Sequence, residues 1–297
     1  MLLLFTIIHP LVDACSVSVL VAGGMTLERV IAYNAMAFAL QLPLGVVMDK
    51  WPCLNRGCFF IGTGLVFAAA VAVVFGSGGW GALAAACTGN ALFHLTAGKH
   101  VLETRNGRAG PIGLFISTGA LGLMAGQIWA ARAATACLSI FSVALAVCVV
   151  LAAVKVWEKD GGHVSVSEQN ADPASALPVL VLAGLFILIA WRSWAGLFAN
   201  ERSAGACAFM MLAGAAVTFA GKVVGGYLAE RVGRWNVMVF SVAGSAALAF
   251  LCEPSWGAAW LMLLFVAQLA TGPAGFTHLK KMPHSTRSVW LEKVGRP

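Results

Sequence analysis

Apolar runs of about 20 residues, separated by short polar or Gly/Pro-containing connections, recur along nearly the whole chain. A helix that crosses the hydrocarbon core of a bilayer needs roughly 20 mainly apolar residues. Ten runs meet that length, at about 2–22, 30–48, 57–76, 80–98, 110–131, 136–156, 177–199, 205–228, 235–252 and 257–276. Most are too long and too closely spaced to be buried core helices of a soluble fold, so the pattern predicts an all-α, polytopic transmembrane bundle of about ten spans.

Composition agrees: 60% of the 297 residues are hydrophobic and 10% are charged, against about 25% charged in soluble domains. Water is not the main solvent of such a chain. The first run lacks a basic residue before it and carries His9, Pro10 and Asp13 inside it, which predicts a retained span rather than a cleaved signal peptide. Val12-Asp13-Ala14-Cys15 has a faint likeness to a lipoprotein cleavage site, but the acidic residue beside the cut and the missing basic start argue against one. No lipid anchor is expected.

The formal charge of +7 would point a soluble protein toward nucleic acid, so its distribution matters. One set of connections carries Lys50, Arg56, Lys99, Arg105, Arg108, Lys155, Lys159, Arg231, Arg234 and the basic tail from Lys280 to Arg296, and the other set carries Arg29, Arg132 and Arg202. Positive residues mark the cytoplasmic side of a membrane. The asymmetry predicts a multi-pass protein of the plasma (inner) membrane with both termini cytoplasmic, in contact with lipid and not with DNA or RNA. The eight cysteines lie mostly within spans. Cys53 and Cys58 share a loop but have no second pair at zinc-site spacing, so neither a disulfide, a metal nor a cofactor is expected.

The longest polar connection, about 157–176, includes Gly161-Gly162 and Asp172-Pro173. It reads as a linker between a six-helix bundle at 1–156 and a four-helix bundle at 177–276, with a basic tail at 277–297. A similar turn follows the second helix of each half: Gly45-Val-Val-Met-Asp49-Lys50, and Gly226-Tyr-Leu-Ala-Glu230-Arg231-Val-Gly233-Arg234. The offset is 226 − 45 = 181 residues, one six-helix unit. Glycine one turn from the membrane edge admits a close neighbouring helix, the carboxylate can face the positive N-terminus of an adjacent helix, and the basic residues hold the inner surface. Parallel six-helix repeats suit a secondary transporter.

These two motifs resemble the inter-helix Gly-x-x-x-Asp-Arg/Lys-x-Gly-Arg motif of the major facilitator superfamily, and the likeness extends over about residues 1–276. Pro52 and Asn55 depart from it in the first copy. His9 and Asp13 in the first span, Phe93-His94 running to Lys99 in the fourth, Gly107-Arg108 and the glycine-rich fifth span are similar to the fosmidomycin-resistance branch, with Leu95 where that branch usually has proline. The resemblance implies a transporter whose first, fourth, seventh and tenth helices line a central cavity. The superfamily has twelve helices and ten are read here, so a shortened member and a truncated frame remain as alternatives.

Ionisable residues inside a membrane are costly and mark function by default. His9 and Asp13 are i and i+4, on one face of the first span. They read as a proton-coupling pair, or alternatively as a hydrogen-bonded pair that packs helices. Asn90 and His94 stand one turn apart on the fourth span and, with Arg192 and Gln268, are candidate substrate ligands; Thr271 is a further polar residue of the tenth span. Arg192, between Trp191 and Trp194, either snorkels to the headgroups or binds an anionic group. Lys222 reads as snorkelling. The glycines of the fifth and eighth spans read as packing residues without ligand contact.

No catalytic or nucleotide-binding spacing is present, so no enzyme activity is expected. The leading expectation is proton-coupled secondary transport, in the direction of export, of a small organic and in one reading anionic solute by a monomer. The alternatives are a transport-inactive fragment or membrane partner, and, further off, an intramembrane enzyme built on His9, Asp13 and His94.

Overall fold

The computed structural model describes residues 2–51, 53–105, 107–157, 208–251 and 257–270. The side chains of Asp49 and Lys50, the linker, the seventh span with Arg192, Arg202, Thr271 and the basic tail lie outside the described residues. All regular structure among those described is helical. Among the described residues, four helices or helical stretches are long and apolar enough to cross a membrane: Leu2–Ala22, Leu54–Val74, Ala109–Val154 and Phe209–Val232.

Helix α1 (Leu2–Ala22) is the central element of the first half, and 72% of its most apolar window is buried. The second expected span is interrupted. Thr26 accepts the Arg29 N–H and caps α2 (Leu27–Asn34), a π-helical turn follows at Ala35–Ala39, and α3 (Gln41–Lys50) completes the path. Pro43 lies within the first turn of α3. Proline has no N–H and crowds the carbonyl four residues back, here Ala39 at the end of the wide turn. The π-helical turn thus absorbs a break in the hydrogen-bond ladder that apolar run length does not reveal.

Helices α4 (Leu54–Val74) and α5 (Trp80–Thr104) cross at two glycines. A Cβ added to Gly62 would meet the Gly89 carbonyl oxygen at 2.9 Å, and Gly89 faces Gly62 and Val66 just as closely. In lipid, where tails are as apolar as leucine, helices associate by such close packing.

Helix α6 runs from Ala109 to Trp157, 49 residues, with non-helical backbone at Ala133. A straight helix of that length would measure about 74 Å, more than twice the ~30 Å hydrocarbon core. Trp129 and Phe141 stack with ring centroids 5.6 Å apart, whereas twelve residues along a straight helix span about 18 Å. The chain therefore folds back at Ala133, and residues 109–132 and 134–157 form two arms of a hairpin.

Cross-helix contacts fix the relative directions. Along α1, His9 meets Phe115, Pro10 meets Gly122 and Ser18 meets Gly126, so the first arm runs parallel to α1. Asn90 and His94 meet Asp13, while His100 meets Phe5, so α5 is antiparallel to it. α1 and the first arm of α6 thus run one way and α5 the other. Arg56, Lys99, Arg105, Arg108, Arg231 and Arg234 fall toward one end of the bundle, where Lys99 reaches the Met48 carbonyl and Arg108 reaches Glu230. Arg29 lies at the other end, bonded to the Gly23 carbonyl and over the Trp80 ring.

In the second half, α7 (Ala208–Val232) packs against α9 (Gly257–Leu269) through Gly221 and Gly225, which approach the Phe265 and Leu269 carbonyls. Gly233 ends α7 with φ +90°, the left-handed conformation glycine adopts without penalty, and α8 (Arg234–Leu251) starts at once. Ser241 joins α8 to α9: its hydroxyl donates to the Val266 carbonyl at 2.7 Å and accepts the Ala270 N–H at 3.3 Å.

Candidate functional site

Asp13 occupies the middle of α1 and is 4% exposed. A carboxylate there needs donors from its neighbours, and three elements surround it with polar groups. Asn90 Nδ2 donates to Asp13 Oδ1 at 2.7 Å, and His94 Nε2 lies 3.0 Å from the same oxygen. Both come from one face of α5. On the other side, His9 Nε2 stands 3.2 Å from Asp13 Oδ2. The buried Tyr33 of α2 also interacts electrostatically with Asp13.

His9 is held more tightly than its i, i+4 relation to Asp13 requires. Its Nδ1–H donates to the Phe115 carbonyl oxygen at 2.6 Å, and its ring stacks on Phe115 with centroids 4.6 Å apart. Thr118 Oγ1 lies 3.5 Å from the same Nδ1. The His94 ring meets the His9 ring edge-on at 4.4 Å. The Nε2 approach to Asp13 is within ion-pair distance but off the hydrogen-bond direction, so this buried nitrogen has no hydrogen-bond partner among the described residues.

The first arm of α6 completes the enclosure through absent side chains. Gly119, Gly122 and Gly126 fall on one face at spacings of three and four, and that face lies against α1. A Cβ at Gly119 would strike Asp13 Oδ2 and His9 Nε2, and one at Gly122 would strike the backbone of Pro10. Gly119 is therefore in contact with the ionisable cluster, beyond the packing role expected for the glycines of this span. Its spacing relative to Gly122 and Gly126 signals a close helix without identifying which one. Phe115 acts through a backbone carbonyl, for which a sequence carries no signal. Ser16, whose hydroxyl lies 3.5 Å from Asn90 Nδ2, was equally illegible.

The structure thus brings His9, Asp13, Asn90 and His94 together. Gln268 is buried on α9 beside Gly221 of α7, and Arg192 lies outside the described residues.

The motif residues divide similarly. Gly45 packs toward Leu95 of α5, within its own half. Gly226 instead lies against the Ala109 carbonyl and Gly110, across to the first half. Glu230 Oε1 accepts the Gly110 N–H at 2.8 Å, and Oε2 meets Arg108 Nη2 at 3.1 Å. Arg234 Nη2 donates to the Gly107 carbonyl at 3.3 Å, while Arg231 is exposed. The Glu230 carboxylate therefore sits on the positive end of α6. Partial burial lowers the Arg234 pKa, opposed by Glu230 beside it; arginine's ordinary value is high enough that it keeps its charge at neutral pH.

Removing this cap with Glu230→Ala is expected to destabilise the contact between halves by about 1 kcal/mol, read as a lower midpoint of thermal unfolding in detergent. Arg108→Ala should do less, because its side chain is 67% exposed and exposed ion pairs contribute about 0–1 kcal/mol.

No family model matches the chain, and no curated protein matches it.

Proposed function

We propose that this protein is a proton-coupled secondary transporter of the major facilitator type, exporting a small organic solute. The observation that carries this reading is the cluster of buried Asp13, His9 and Asn90 with half-buried His94, the ionisable centre where α1, α5 and α6 meet. Carboxylate and imidazole groups at that depth are expensive, and three polar side chains converging on one carboxylate form a place where an ion can be held and released. The groups in contact with Asp13 are His9 on its own helix and Asn90 and His94 on α5, with Gly119 supplying clearance on α6.

The motif at the end of α7 supports the same reading. Gly226 and Glu230 touch the start of α6 across the two halves, the kind of interface that breaks and re-forms when one bundle rocks against the other. The proposed arrangement is ten spans, six and four, in the inner membrane, with both termini and the 157–176 linker in the cytoplasm. Arg192 and Gln268 are proposed solute contacts from the second half. Reporter fusions after Pro297 and within the linker are expected to give cytoplasmic signals; an external signal from either overturns the topology.

Transport is tested by accessibility, which needs no knowledge of the solute. Alternating access exposes one central site to the two sides of the membrane in turn. A cysteine replacing Asn90 should therefore react with a membrane-impermeant thiol reagent supplied from either face, above the background of the unsubstituted chain. Reaction from one face only, or from neither, sinks the transport reading.

A further inference from the structure

His9 offers a metal-binding nitrogen in the form a metal requires. Because Nδ1–H donates to the Phe115 carbonyl, the neutral ring carries its lone pair on Nε2. That nitrogen is buried and has no hydrogen-bond partner among the described residues, yet it stands 3.2 Å from Asp13 Oδ2, itself an acceptor. Two acceptors this close in an apolar bundle repel unless a positive centre lies beside both.

We propose that His9 Nε2, the Asp13 carboxylate and His94 Nε2 bind a divalent transition-metal cation such as zinc or cobalt. The proposal goes beyond the transport reading and rests on the geometry of the cluster alone. Zinc bonds to nitrogen and oxygen measure about 2.0–2.1 Å. An ion so bound to two atoms 3.2 Å apart lies off the line between them and subtends an angle of about 100°, near tetrahedral. This matches a nitrogen that is near the oxygen without pointing at it. The ligand atoms of all three residues lie within 4.8 Å of one another. A tetrahedral site separates them by about 3.3 Å, leaving at most about 1.5 Å to close by side-chain rotation. In the structure His94 Nε2 is 3.0 Å from Asp13 Oδ1 and donates its proton to that carboxylate; on metal binding the ion takes the place of that proton, and the neutral ring then carries its N–H on Nδ1.

The surroundings suit this assignment. Metal-bound histidine generally donates its other N–H to a carbonyl or carboxylate, and metal-bound carboxylates are themselves hydrogen-bonded. The Phe115 carbonyl and the Asn90 amide occupy those positions. Two imidazoles and one carboxylate suit zinc, cobalt or nickel, whereas calcium takes six to eight oxygens and magnesium keeps several waters. Three protein ligands leave a fourth position for water or a solute group. The expectation that the chain binds no metal rested on cysteine spacing; this ligand set joins an i, i+4 pair on α1 to His94 of α5, 81 residues from Asp13 in sequence.

The test is cobalt titration of the purified full-length chain in detergent, followed by the visible ligand-field absorption of the ion. One saturating, zinc-displaceable cobalt per chain is expected. His9→Gln and Asp13→Asn should abolish the signal, His94→Gln should weaken binding at least tenfold, and Cys53→Ser should leave it unchanged. Asn90→Ala retains all three ligands and should still saturate, about tenfold more weakly, because it loses the bond that orients Asp13; the midpoint of thermal unfolding of each metal-free variant in the same detergent separates a lost ligand from a lost fold. Absence of a saturating signal, or equal affinity in wild type and His9→Gln, overturns the site. Thiol reaction from both faces with no cobalt signal removes the metal and leaves the transport reading, whereas a cobalt signal with reaction from one face does the reverse.

Discussion

Asp13→Asn should abolish proton-gradient-driven solute movement while the protein still folds. The amide has nearly the same shape and retains an oxygen that can accept from Asn90 and His94, but it cannot ionise. Proteoliposomes carrying an internal pH dye, challenged with a panel of small organic anions, should show solute-evoked proton flux with the wild type and none with the variant. Thermal stability in detergent is measured in parallel. If Asp13 serves only to pack helices, stability falls because a buried network loses its charge-assisted bonds, which contribute about 1.5–3 kcal/mol each. Proton flux that survives the substitution removes Asp13 from the mechanism. His9→Gln leaves the carboxylate and removes a titrating neighbour, so it should displace the pH profile of transport without eliminating it.

Gly119→Val should have the second large effect, on stability and transport together. Its first added carbon would fall on Asp13 Oδ2 and His9 Nε2, and the branched methyls have no free volume to enter. Overpacking a well-filled interior costs about 1–3 kcal/mol. Here it also forces the carboxylate away from its partners or α6 away from α1. Gly64→Ala on α4 is the control: a Cβ there meets nothing within 4 Å, and alanine in a helix is favoured over glycine by about 1 kcal/mol. Equal melting temperatures for Gly119→Val and wild type would show that the α1–α6 approach is looser than described.

The contrast between these glycines explains what could be read from the sequence. Apolar run length marks helices because bilayer thickness fixes it, so α1, α4 and α7 are legible. It does not register Pro43 and the π-helical turn before it, because both are apolar in composition. The two helical pairs, His9 with Asp13 and Asn90 with His94, follow from 3.6 residues per turn. Their meeting does not, since it depends on α5 running antiparallel to α1 at one particular register. Glycine spacing foretells close approach but gives no partner, and so Gly119 at the cluster and Gly64 facing open space look alike in the sequence.

The first arm of α6 begins at the Glu230 cap and reaches the cluster at Gly119, about 14 Å further along at 1.5 Å per residue. One stiff helix is thus in contact with both the seam between halves and the buried carboxylate. Linkage makes any coupling through it reciprocal. If Asp13 binds its ion more tightly with the cap closed, ion binding must favour cap closure by the same factor. Substituting Glu230, remote from the cluster and exposed at its rim, then changes how tightly the centre of the bundle holds its ion.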